Sequence, residues 1–572
     1  MTGRWLEASS IMAQAIVQWA VMLLVLIALG RVIRRMTNIN TTESPLLTIW
    51  LGLGGLLLLS YITHWFIGLA AIPVTVAMLL IAASTLLQLL PSRIAVVKHL
   101  FAIATSHKPL TGLMVFAVLW LANQTIGYTS NYDSYLYHLS LIDYFADGHL
   151  IPGIANLDTR LGFQSSTYNI AALFQGGFWG HQGYRLANGF LLVLLIGESI
   201  SRFVHLKSRT PRLSDFVLIF GTPLLLSQVM PSADNWITSP SPDTATAALL
   251  LVTFAYSFDA FKSNTLSDYS SALILCAMSL TFRPLAIFIS TFVVLAFFVA
   301  IARKRVSFLQ SLPGFTLSGF LVLSYLAHNW LTSGYFVYPT SLSLGQPSWK
   351  VPTDSLIGDQ LWTESWAKAP GLSPDEVLGN QNWVGPWFTS NLAGFQPFVA
   401  IIGLAVFLKF VQPAVSARRQ WKPSSSFVYS IAAILISGFY WFIRMPDGRF
   451  GWAVFIAIAT FPLATELVKQ WGSPSISSNA FRFLVVILVV QTVSGGLLWP
   501  SRPHLPRKNT DRGFVEWIPK TQLAILPNNQ RFITPGETDQ CGRVLLCTKS
   551  IHSNITPYTI LGRTGYKTDP ST

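Results

Sequence analysis

The sequence predicts an all-α polytopic membrane protein, and three features indicate this class. Hydrophobic residues make up 52% of the 572-residue chain, charged residues only 11%, and the mean hydropathy is +0.50. Soluble domains carry about 25% charged residues. The apolar residues form many runs of roughly 16–24 residues, the length range of membrane-spanning helices. No alternation at period two continues over the length that a membrane β-barrel would need.

We predict a bundle of about fourteen membrane-spanning helices. The first apolar run begins near Ile11 and is long enough to span, so no cleaved signal peptide is expected. The predicted spans are 12–32, 46–61, 67–90, 110–127, 185–203, 214–230, 243–258, 270–283, 285–302, 312–330, 394–411, 426–443, 450–467 and 481–499.

The chain has a net charge of +14, and the positions of its basic residues agree with the predicted topology. The basic residues fall in short loops that share one side of the membrane if the spans are right, and the positive-inside rule makes that side cytoplasmic. This distribution argues against nucleic acid as a partner. The opposite, extracytoplasmic face receives both termini and the long segments 128–184, 331–393 and 500–572. Many acidic residues lie in these segments, so we expect the chemistry on that face.

The first long outer segment carries the most informative residues. Asp133 precedes the stretches 134–146 and 166–179, which we predict to be interfacial helices on the membrane surface. Asp133 is a candidate catalytic residue, but an N-cap role at the first helix would also explain it. His138, among tyrosines, is either a catalytic group or a packed interfacial histidine.

Later motifs place further charged residues at outer ends of spans. The sequence Ser239-Pro240-Ser241-Pro242-Asp243 precedes an apolar run, and Thr281-Phe282-Arg283-Pro284 follows one. Two more outer motifs are Asn329 with Ser333-Gly334-Tyr335-Phe336-Val337-Tyr338-Pro339, and Pro446-Asp447-Gly448-Arg449-Phe450.

This ordered set resembles the GT-C superfamily of membrane glycosyltransferases, which includes protein mannosyltransferases and lipid A aminoarabinose transferases. The resemblance covers about residues 110–460 and is closest to poorly characterised bacterial members. It divides the chain into three additional N-terminal helices in 1–109, a GT-C-like core in 110–499 and an extracytoplasmic tail in 500–572. Residue 133 is a single aspartate, where many members carry an acidic pair, so a divalent cation is left open as a cofactor.

The resemblance implies an inverting glycosyltransferase of the bacterial inner membrane, with its active site facing outward. Such an enzyme moves a sugar from a polyprenyl-phosphate donor to an envelope glycan or lipid acceptor, with the lipid bilayer as a further partner. The implied catalytic residues are Asp133, His138 and Asp243, the donor phosphate-binding residues are Arg283, Arg444 and Arg449, and the substrate-binding residues are Tyr137, Asn329, Tyr335, Tyr338 and Asp447.

Simpler structural roles stay open for two of the arginines. Arg283 would be equally well explained by an ion pair with Asp243, and Arg449 by a salt-bridged turn with Asp447. A phosphate role is open to both because guanidinium groups form bidentate hydrogen bonds with phosphate.

The outer segments also contain tryptophans and cysteines of interest. We interpret most of the tryptophans after Asn329 as an aromatic belt at the membrane interface, with one or two lining an acceptor groove. Cys541 and Cys547 are predicted to form a disulfide, because the tail lies outside the cytosol, whereas Cys276 is predicted to be inert packing. The tryptophans are Trp349, Trp362, Trp366, Trp383 and Trp387.

Two other function classes are compatible with the sequence. A transporter or flippase of lipid-linked saccharides would require charged residues deep inside spans and inverted repeats, and few deep charges are present. A polysaccharide polymerase or ligase would use the same lipid-linked sugars. Convergence of Asp133, Asp243 and Arg283 in one outward cavity would favour transfer, whereas a gated tunnel between two pseudo-symmetric halves would favour transport.

Overall fold

The computed structural model is mostly helical. It describes residues 2–39, 45–89, 108–206, 210–230, 235–411 and 425–470, and in the tail 504–505, 514, 518, 520–525, 531–536, 538–545, 547, 555–560 and 562–568. The α-helices are α1 Thr2–Thr37, α2 Pro45–His64, α3 Ile72–Leu89, α4 Lys108–Gln124, α5 Leu139–Asp147, α6 Ser166–Gln175, α7 Leu186–His205, α8 Leu213–Val229, α9 Pro242–Ser263, α10 Leu266–Phe282, α11 Ile287–Ala302, α12 Phe308–Ser333, α13 Thr353–Lys368, α14 Pro374–Val377, α15 Val384–Val411, α16 Ser425–Arg444 and α17 Gly448–Gln470.

Short helical segments of other types connect several of these elements. A π-helical segment, Ser134–His138, leads directly into α5. Segments of 3₁₀-helix occupy Ile154–Asn156, Thr159–Gly162, Gly180–Arg185 and Pro284–Ala286.

The helices confirm a multi-pass membrane protein. Within the described ranges, nine helices are long and apolar enough to cross a membrane, or ten if the bent α15 is one span. Two shorter apolar helices, Leu213–Val229 and Leu266–Phe282, coincide with further predicted spans. The predicted span 481–499 lies outside the described residues. The count of fourteen therefore stays a prediction.

The buried centre of the bundle is α9. Every residue from Pro242 to Phe261 is buried, although this helix carries the hydropathy of a membrane span. It packs against α8, α10 and α17. A helix that is covered on all sides in this way fixes the positions of the residues at both of its ends.

One end of the bundle, here called the site end, collects the starts of α7, α9 and α17 and the ends of α2, α10 and α12. Asn188 in the first turn of α7 donates hydrogen bonds to the carbonyls of Ser239 (2.7 Å) and Ser241 (3.1 Å), just before α9. His64 at the end of α2 is hydrogen-bonded to His328 near the end of α12, at 2.9 Å.

The opposite end of the bundle is fastened by a buried ionic network. Arg202 of α7 donates to Glu198 (2.6 Å) and, across to α8, to Asp215 (3.0 Å). The backbone N–H of Ser214 donates to Asp259 of α9 at 3.2 Å. These charges are paired inside the protein, which is the arrangement that makes a buried charge tolerable.

The helices of the first long loop segment are packed inside the protein. All residues of α6 are buried, and in α5 the whole stretch Leu139–Ala146 is buried. Both were expected to lie on the membrane surface, and the structure differs because α5 and α6 pack on each other, while α2 and the tail cover them. An amphipathic pattern predicts that one face is apolar, but it does not say whether lipid or protein covers that face.

The C-terminal tail packs on this same loop segment. It contains two antiparallel hairpins, β1 Thr521–Ile525 with β2 Arg531–Pro535 and β3 Ile555–Ile560 with β4 Arg563–Thr568. Gly542, which lies between the disulfide-bonded Cys541 and Cys547, contacts the π-helical segment and α5: its N–H donates to the carbonyl of Tyr135 at 2.7 Å, and its carbonyl accepts from Ser140 Oγ at 2.9 Å.

Arg543, in the same loop of the tail, forms the strongest link to α5. It donates to both carboxylate oxygens of the buried Asp143, through Nε at 2.9 Å and through Nη2. This guanidinium is the ion-pair partner of Asp143, and Gln175 donates a further hydrogen bond to the same carboxylate at 3.0 Å.

The disulfide between Cys541 and Cys547 should stabilise the folded tail. We expect the Cys541→Ser/Cys547→Ser double variant to lose about 2 kcal/mol, the value for closing so short a loop in the unfolded chain. The measurement is the melting temperature in detergent with and without dithiothreitol. The reductant should lower the melting temperature of the wild type and leave that of the double variant unchanged. Free thiols at both positions in non-reducing mass spectrometry would contradict the expectation.

Candidate functional site

Asp133 begins the candidate site at the site end of the bundle. It occupies the N-cap position of the π-helical segment Ser134–His138, yet its side chain makes no capping hydrogen bond. Its Oδ2 instead accepts from Nη1 of Arg449 at 3.0 Å, across 316 residues of sequence. The carboxylate is 27% exposed. The capping explanation therefore does not describe this side chain, and π-helical turns are frequent at functional sites.

Arg449 lies at the centre of a cluster of carboxylates. As the second residue of α17 it contacts Asp133, it donates from Nε to Asp447 Oδ2 at 2.9 Å, and its Nη1 lies 3.7 Å from Asp243 Oδ2. The turn with Asp447 is thus present, as the structural alternative predicts. It forms only part of the environment of Arg449, because the other two carboxylates come from distant elements.

Asp243 and Arg283 complete the charged cluster. Asp243 lies in the first turn of α9 with its side chain only 2% exposed, and Ser241 Oγ donates to its Oδ2 at 2.8 Å. Arg283, which follows the last residue of α10, forms an ion pair with Asp243 Oδ1. The predicted pair exists, and the Arg283 side chain keeps 18% of its surface exposed. We call Asp133, Asp243, Arg283, Asp447 and Arg449 the charged cluster.

Two aromatic rings that sequence analysis had not assigned lie against the guanidinium groups. The Phe450 ring centroid is 4.2 Å from Arg283 Cζ and 5.0 Å from Arg449 Cζ, so the ring contacts both arginines. Trp236 lies 5.8 Å from Arg449 Cζ. Such contacts favour the charged, planar form of arginine and restrict its orientation. The position of Phe450 directly after Arg449 could have indicated a place in the site, whereas nothing in the sequence around Trp236 indicated one.

His138 and Tyr137 border the charged cluster on the loop side. The His138 ring packs against Tyr137 (4.3 Å between centroids) and Tyr168 (5.6 Å), and its Nδ1 has no hydrogen-bond partner among the described residues. Burial lowers the pKa of His138 to about 4, partly offset by Asp133 and Asp243, so the imidazole is neutral at neutral pH. Burial also raises the pKa of Tyr137, which keeps its hydroxyl protonated.

Four further predicted site residues lie away from the charged cluster: Arg444, Asn329, Tyr335 and Tyr338. Arg444 pairs with Glu364 of α13 at 3.1 Å. Asn329 donates to the carbonyl of Phe336 at 3.0 Å, and Tyr335 donates to that of Val351 at 3.0 Å. The hydrogen bonds of Asn329 and Tyr335 organise the turn that follows α12.

Tyr338 also belongs to that turn, and it is linked to the edge of the charged cluster through other aromatic rings. Its hydroxyl donates to Asp359 at 2.6 Å, and its ring lies 5.5 Å from the ring of Phe163, which in turn lies 6.1 Å from that of Tyr137. A row of aromatic rings therefore runs from the edge of the charged cluster to the turn after α12.

The segment that carries Asp447 and Arg449 is held in place by two tryptophans. The indole of Trp387 donates to the carbonyl of Pro446 at 2.6 Å, and that of Trp441 donates to the carbonyl of Asp447 at 2.9 Å. Trp387 and Trp349 are buried, whereas Trp362 and Trp366 are 44% and 43% exposed. The predicted belt thus contains tryptophans of two kinds, some that brace the protein interior and some that face outward.

The cations nearest the carboxylates are arginines. Among the described residues, no group of three or more His, Cys, Asp or Glu side chains is arranged to hold a metal ion. Arg449 instead lies between Asp133, Asp243 and Asp447. The cluster combines two guanidinium groups, which suit an anionic oxygen ligand, with two partly exposed carboxylates, those of Asp133 and Asp447.

Comparison with known families gives one match. A family model described as a domain of unknown function, DUF8201, matches residues 12–456. This chain belongs to the DUF8201 family. The match contains the whole charged cluster and the helices before it, and it ends ahead of the tail. No curated protein matches the chain.

The depth of burial should separate two carboxylates of the charged cluster in a stability experiment. Asp243→Asn removes the partner of two largely buried guanidinium groups and should cost about 3 kcal/mol. Asp447→Asn removes a carboxylate that is 26% exposed and should cost about 1 kcal/mol or less. Thermal unfolding of the two variants in the same detergent provides the measurement. An equal loss in both would show that Asp243 does not organise the arginines.

The neutral state of His138 should make folding stability depend on pH. Its pKa is about 4 in the folded protein, below the ordinary value of about 6.5, so the unfolded chain binds more protons between these values. The contribution of His138 to the free energy of unfolding is therefore fully present above about pH 6.5, and it decreases as the pH falls toward 4. When the pH falls from about 7.5 to about 5, the free energy of unfolding should decrease by roughly 2 kcal/mol less in His138→Gln than in the wild type. Identical pH profiles from thermal unfolding would reject this account.

Proposed function

We propose that this protein is an integral membrane glycosyltransferase that moves a sugar from a polyprenyl-phosphate donor to an envelope glycan or lipid acceptor. The single observation that carries the proposal is the 3.0 Å contact between Asp133 and Arg449, which joins a candidate base to a candidate phosphate-binding group. Asp243 and Arg283 lie in the same cluster. The convergence of Asp133, Asp243 and Arg283 in one cluster supports transfer over transport.

The proposed reaction begins with the acceptor hydroxyl. Asp133 accepts its proton, and the resulting oxygen forms a bond to the anomeric carbon of the donor sugar from the face opposite the phosphate. The bond between the anomeric carbon and the phosphate oxygen breaks, and the leaving phosphate keeps the electron pair. Arg283 and Arg449 stabilise its negative charge through hydrogen bonds.

Donor binding would also prepare the base. Three carboxylates surround the two guanidinium groups, so a bound phosphate has to replace one carboxylate on Arg449. Asp243 is 2% exposed and contacts both arginines, and Asp447 accepts two hydrogen bonds from Arg449 within its own turn, from the backbone N–H at 3.1 Å and from Nε at 2.9 Å. Asp133, which is 27% exposed and accepts from Arg449 at 3.0 Å, is therefore the natural one to leave. The exchange releases Asp133 toward the acceptor while Asp243 keeps the arginines in place.

The neighbouring groups suit a sugar substrate. The hydroxyl of Tyr137 stays protonated and the imidazole of His138 stays neutral, so the pair offers a donor and an uncharged polar ring beside the base. The partly buried Phe450 adds apolar ring surface, on which the C–H face of a sugar would stack.

We place the proposed reaction on the extracytoplasmic side of a bacterial inner membrane. The support is the distribution of basic residues: Arg34 and Arg35 end α1, Arg202 is in the last turn of α7 and Lys262 in that of α9, all at the end of the bundle opposite the charged cluster. The positive-inside rule assigns such an end to the cytoplasm.

The test of this function is the glycan profile of the cell envelope. Cells that carry Asp133→Asn, at expression matched to the wild type, should lack one sugar and accumulate its polyprenyl-phosphate donor, because loss of the base slows transfer by roughly 10²–10⁴-fold. Asp147→Asn, an exposed aspartate at the end of α5, is the matched control and should leave the profile unchanged. An unaltered profile in the Asp133 variant would remove Asp133 as the base and reopen the transporter hypothesis.

A further inference from the structure

Helix α13, Thr353–Lys368, exposes large apolar side chains and turns several polar side chains inward. A helix on the surface of a soluble protein shows the opposite pattern. From Ile357 onward its large outward side chains are apolar: Ile357 is 44% exposed, Leu361 42%, Trp362 44% and Trp366 43%. Spacings of four and five residues place these side chains on one broad face. Four large apolar side chains exposed on a single short helix form a patch that requires a partner.

Three polar residues in the later turns of α13 point into the protein and are hydrogen-bonded or ion-paired there, whereas Asp354 in the first turn is exposed. Asp359 accepts from the Tyr338 hydroxyl at 2.6 Å, and Gln360 donates to the carbonyl of Pro339. Glu364 binds both Lys368, at 2.6 Å, and Arg444, at 3.1 Å, although its side chain is only 14% exposed. A helix in contact with water would place such groups outward.

The contacts of α13 fix its level in the molecule. Tyr338 and Pro339 belong to the turn that follows α12, and Arg444 is the last residue of α16. Both α12 and α16 are candidate membrane spans, so α13 lies at the level where these spans end. Beside it, the indole of Trp330 near the end of α12 donates to the carbonyl of Leu344, whose side chain is 68% exposed. The apolar surface therefore adjoins the end of a span.

We propose that α13 is an interfacial membrane helix, with its face of Ile357, Leu361, Trp362 and Trp366 inserted at the boundary between lipid headgroups and acyl chains. The partner is the bilayer leaflet at the site end of the bundle. Tryptophan and aliphatic side chains favour this depth, about 5–10 Å into the boundary region. A second copy of the chain fits less well, because the patch adjoins the ends of candidate spans, the level at which the headgroup region of the bilayer surrounds the protein.

The interfacial helix is connected to the site through one ion pair. Glu364 holds Arg444, and the segment of Pro446 and Asp447 follows immediately, leading to Arg449 of the charged cluster. Lys368, at the end of α13, lies 5.3 Å from the ring of Trp383, which packs on Phe442 of α16. The lipid-facing helix is thereby fastened to the element that positions Asp447 and Arg449.

The chain is well suited to a fluorescence test of this arrangement. The described residues include all three of its cysteines, and none of these is an exposed free thiol, because Cys276 is buried and Cys541 is bonded to Cys547. An environment-sensitive nitrobenzoxadiazole label can therefore be attached at Leu361→Cys or Trp366→Cys without background. Leu523→Cys on β1, where the side chain is 62% exposed, is the matched control away from α13.

The labelled full-length chain is reconstituted into phosphatidylethanolamine and phosphatidylglycerol vesicles, with and without lipids that carry a nitroxide near the headgroup. We expect quenching by these lipids at residues 361 and 366 to be at least about twofold stronger than at residue 523, with protection from aqueous iodide. Iodide quenching equal to that at residue 523, without lipid quenching, would overturn the proposal. A disulfide-linked dimer of Leu361→Cys without lipid quenching would also overturn it, in favour of a second copy. These readouts need no enzymatic activity, so their failure is distinct from a failure of the proposed function.

Discussion

Arg449 is the residue on which the arrangement of the site end depends. It contacts carboxylates from the start of the first long loop segment, from the first turn of α9 and from the turn before α17. A guanidinium group can satisfy several acceptors at once because its five N–H donors point in fixed directions. Without this cation, three negative charges would face one another in a partly buried space, and the three segments would repel.

The surroundings of Arg449 are built to keep it in that position. Phe450 lies against it and against Arg283, while Trp387 and Trp441 bind the carbonyls of the turn that precedes it. Beneath the cluster, α9 is buried along most of its length, so Asp243 has little freedom to move. Rigid support of this kind is what a catalytic or anion-binding constellation needs, because small displacements weaken hydrogen bonds to a ligand steeply.

The loop segment around Asp133 is stabilised from a different direction. The π-helical segment and α5 lie between the bundle and the tail, where Gly542 and Arg543 hold them. The tail lies beyond the region that matches the DUF8201 family model, yet its disulfide-closed loop contacts the segment that begins at Asp133. Lipid contact through α13, contact with the tail and burial of α9 would thus restrain three sides of one cluster.

The sequence by itself determined the membrane class, most helix positions and which charged residues stand out, because apolar runs and single charged residues beside them are local signals. It also ordered Asp133, Asp243, Arg283 and Arg449 along the chain. Only the tertiary structure decided which of them meet, since a contact across 316 residues has no local signature. The structure likewise decided that α5 and α6 are buried and that α13 turns its polar face inward, because periodicity distinguishes the faces of a helix without naming what covers each face.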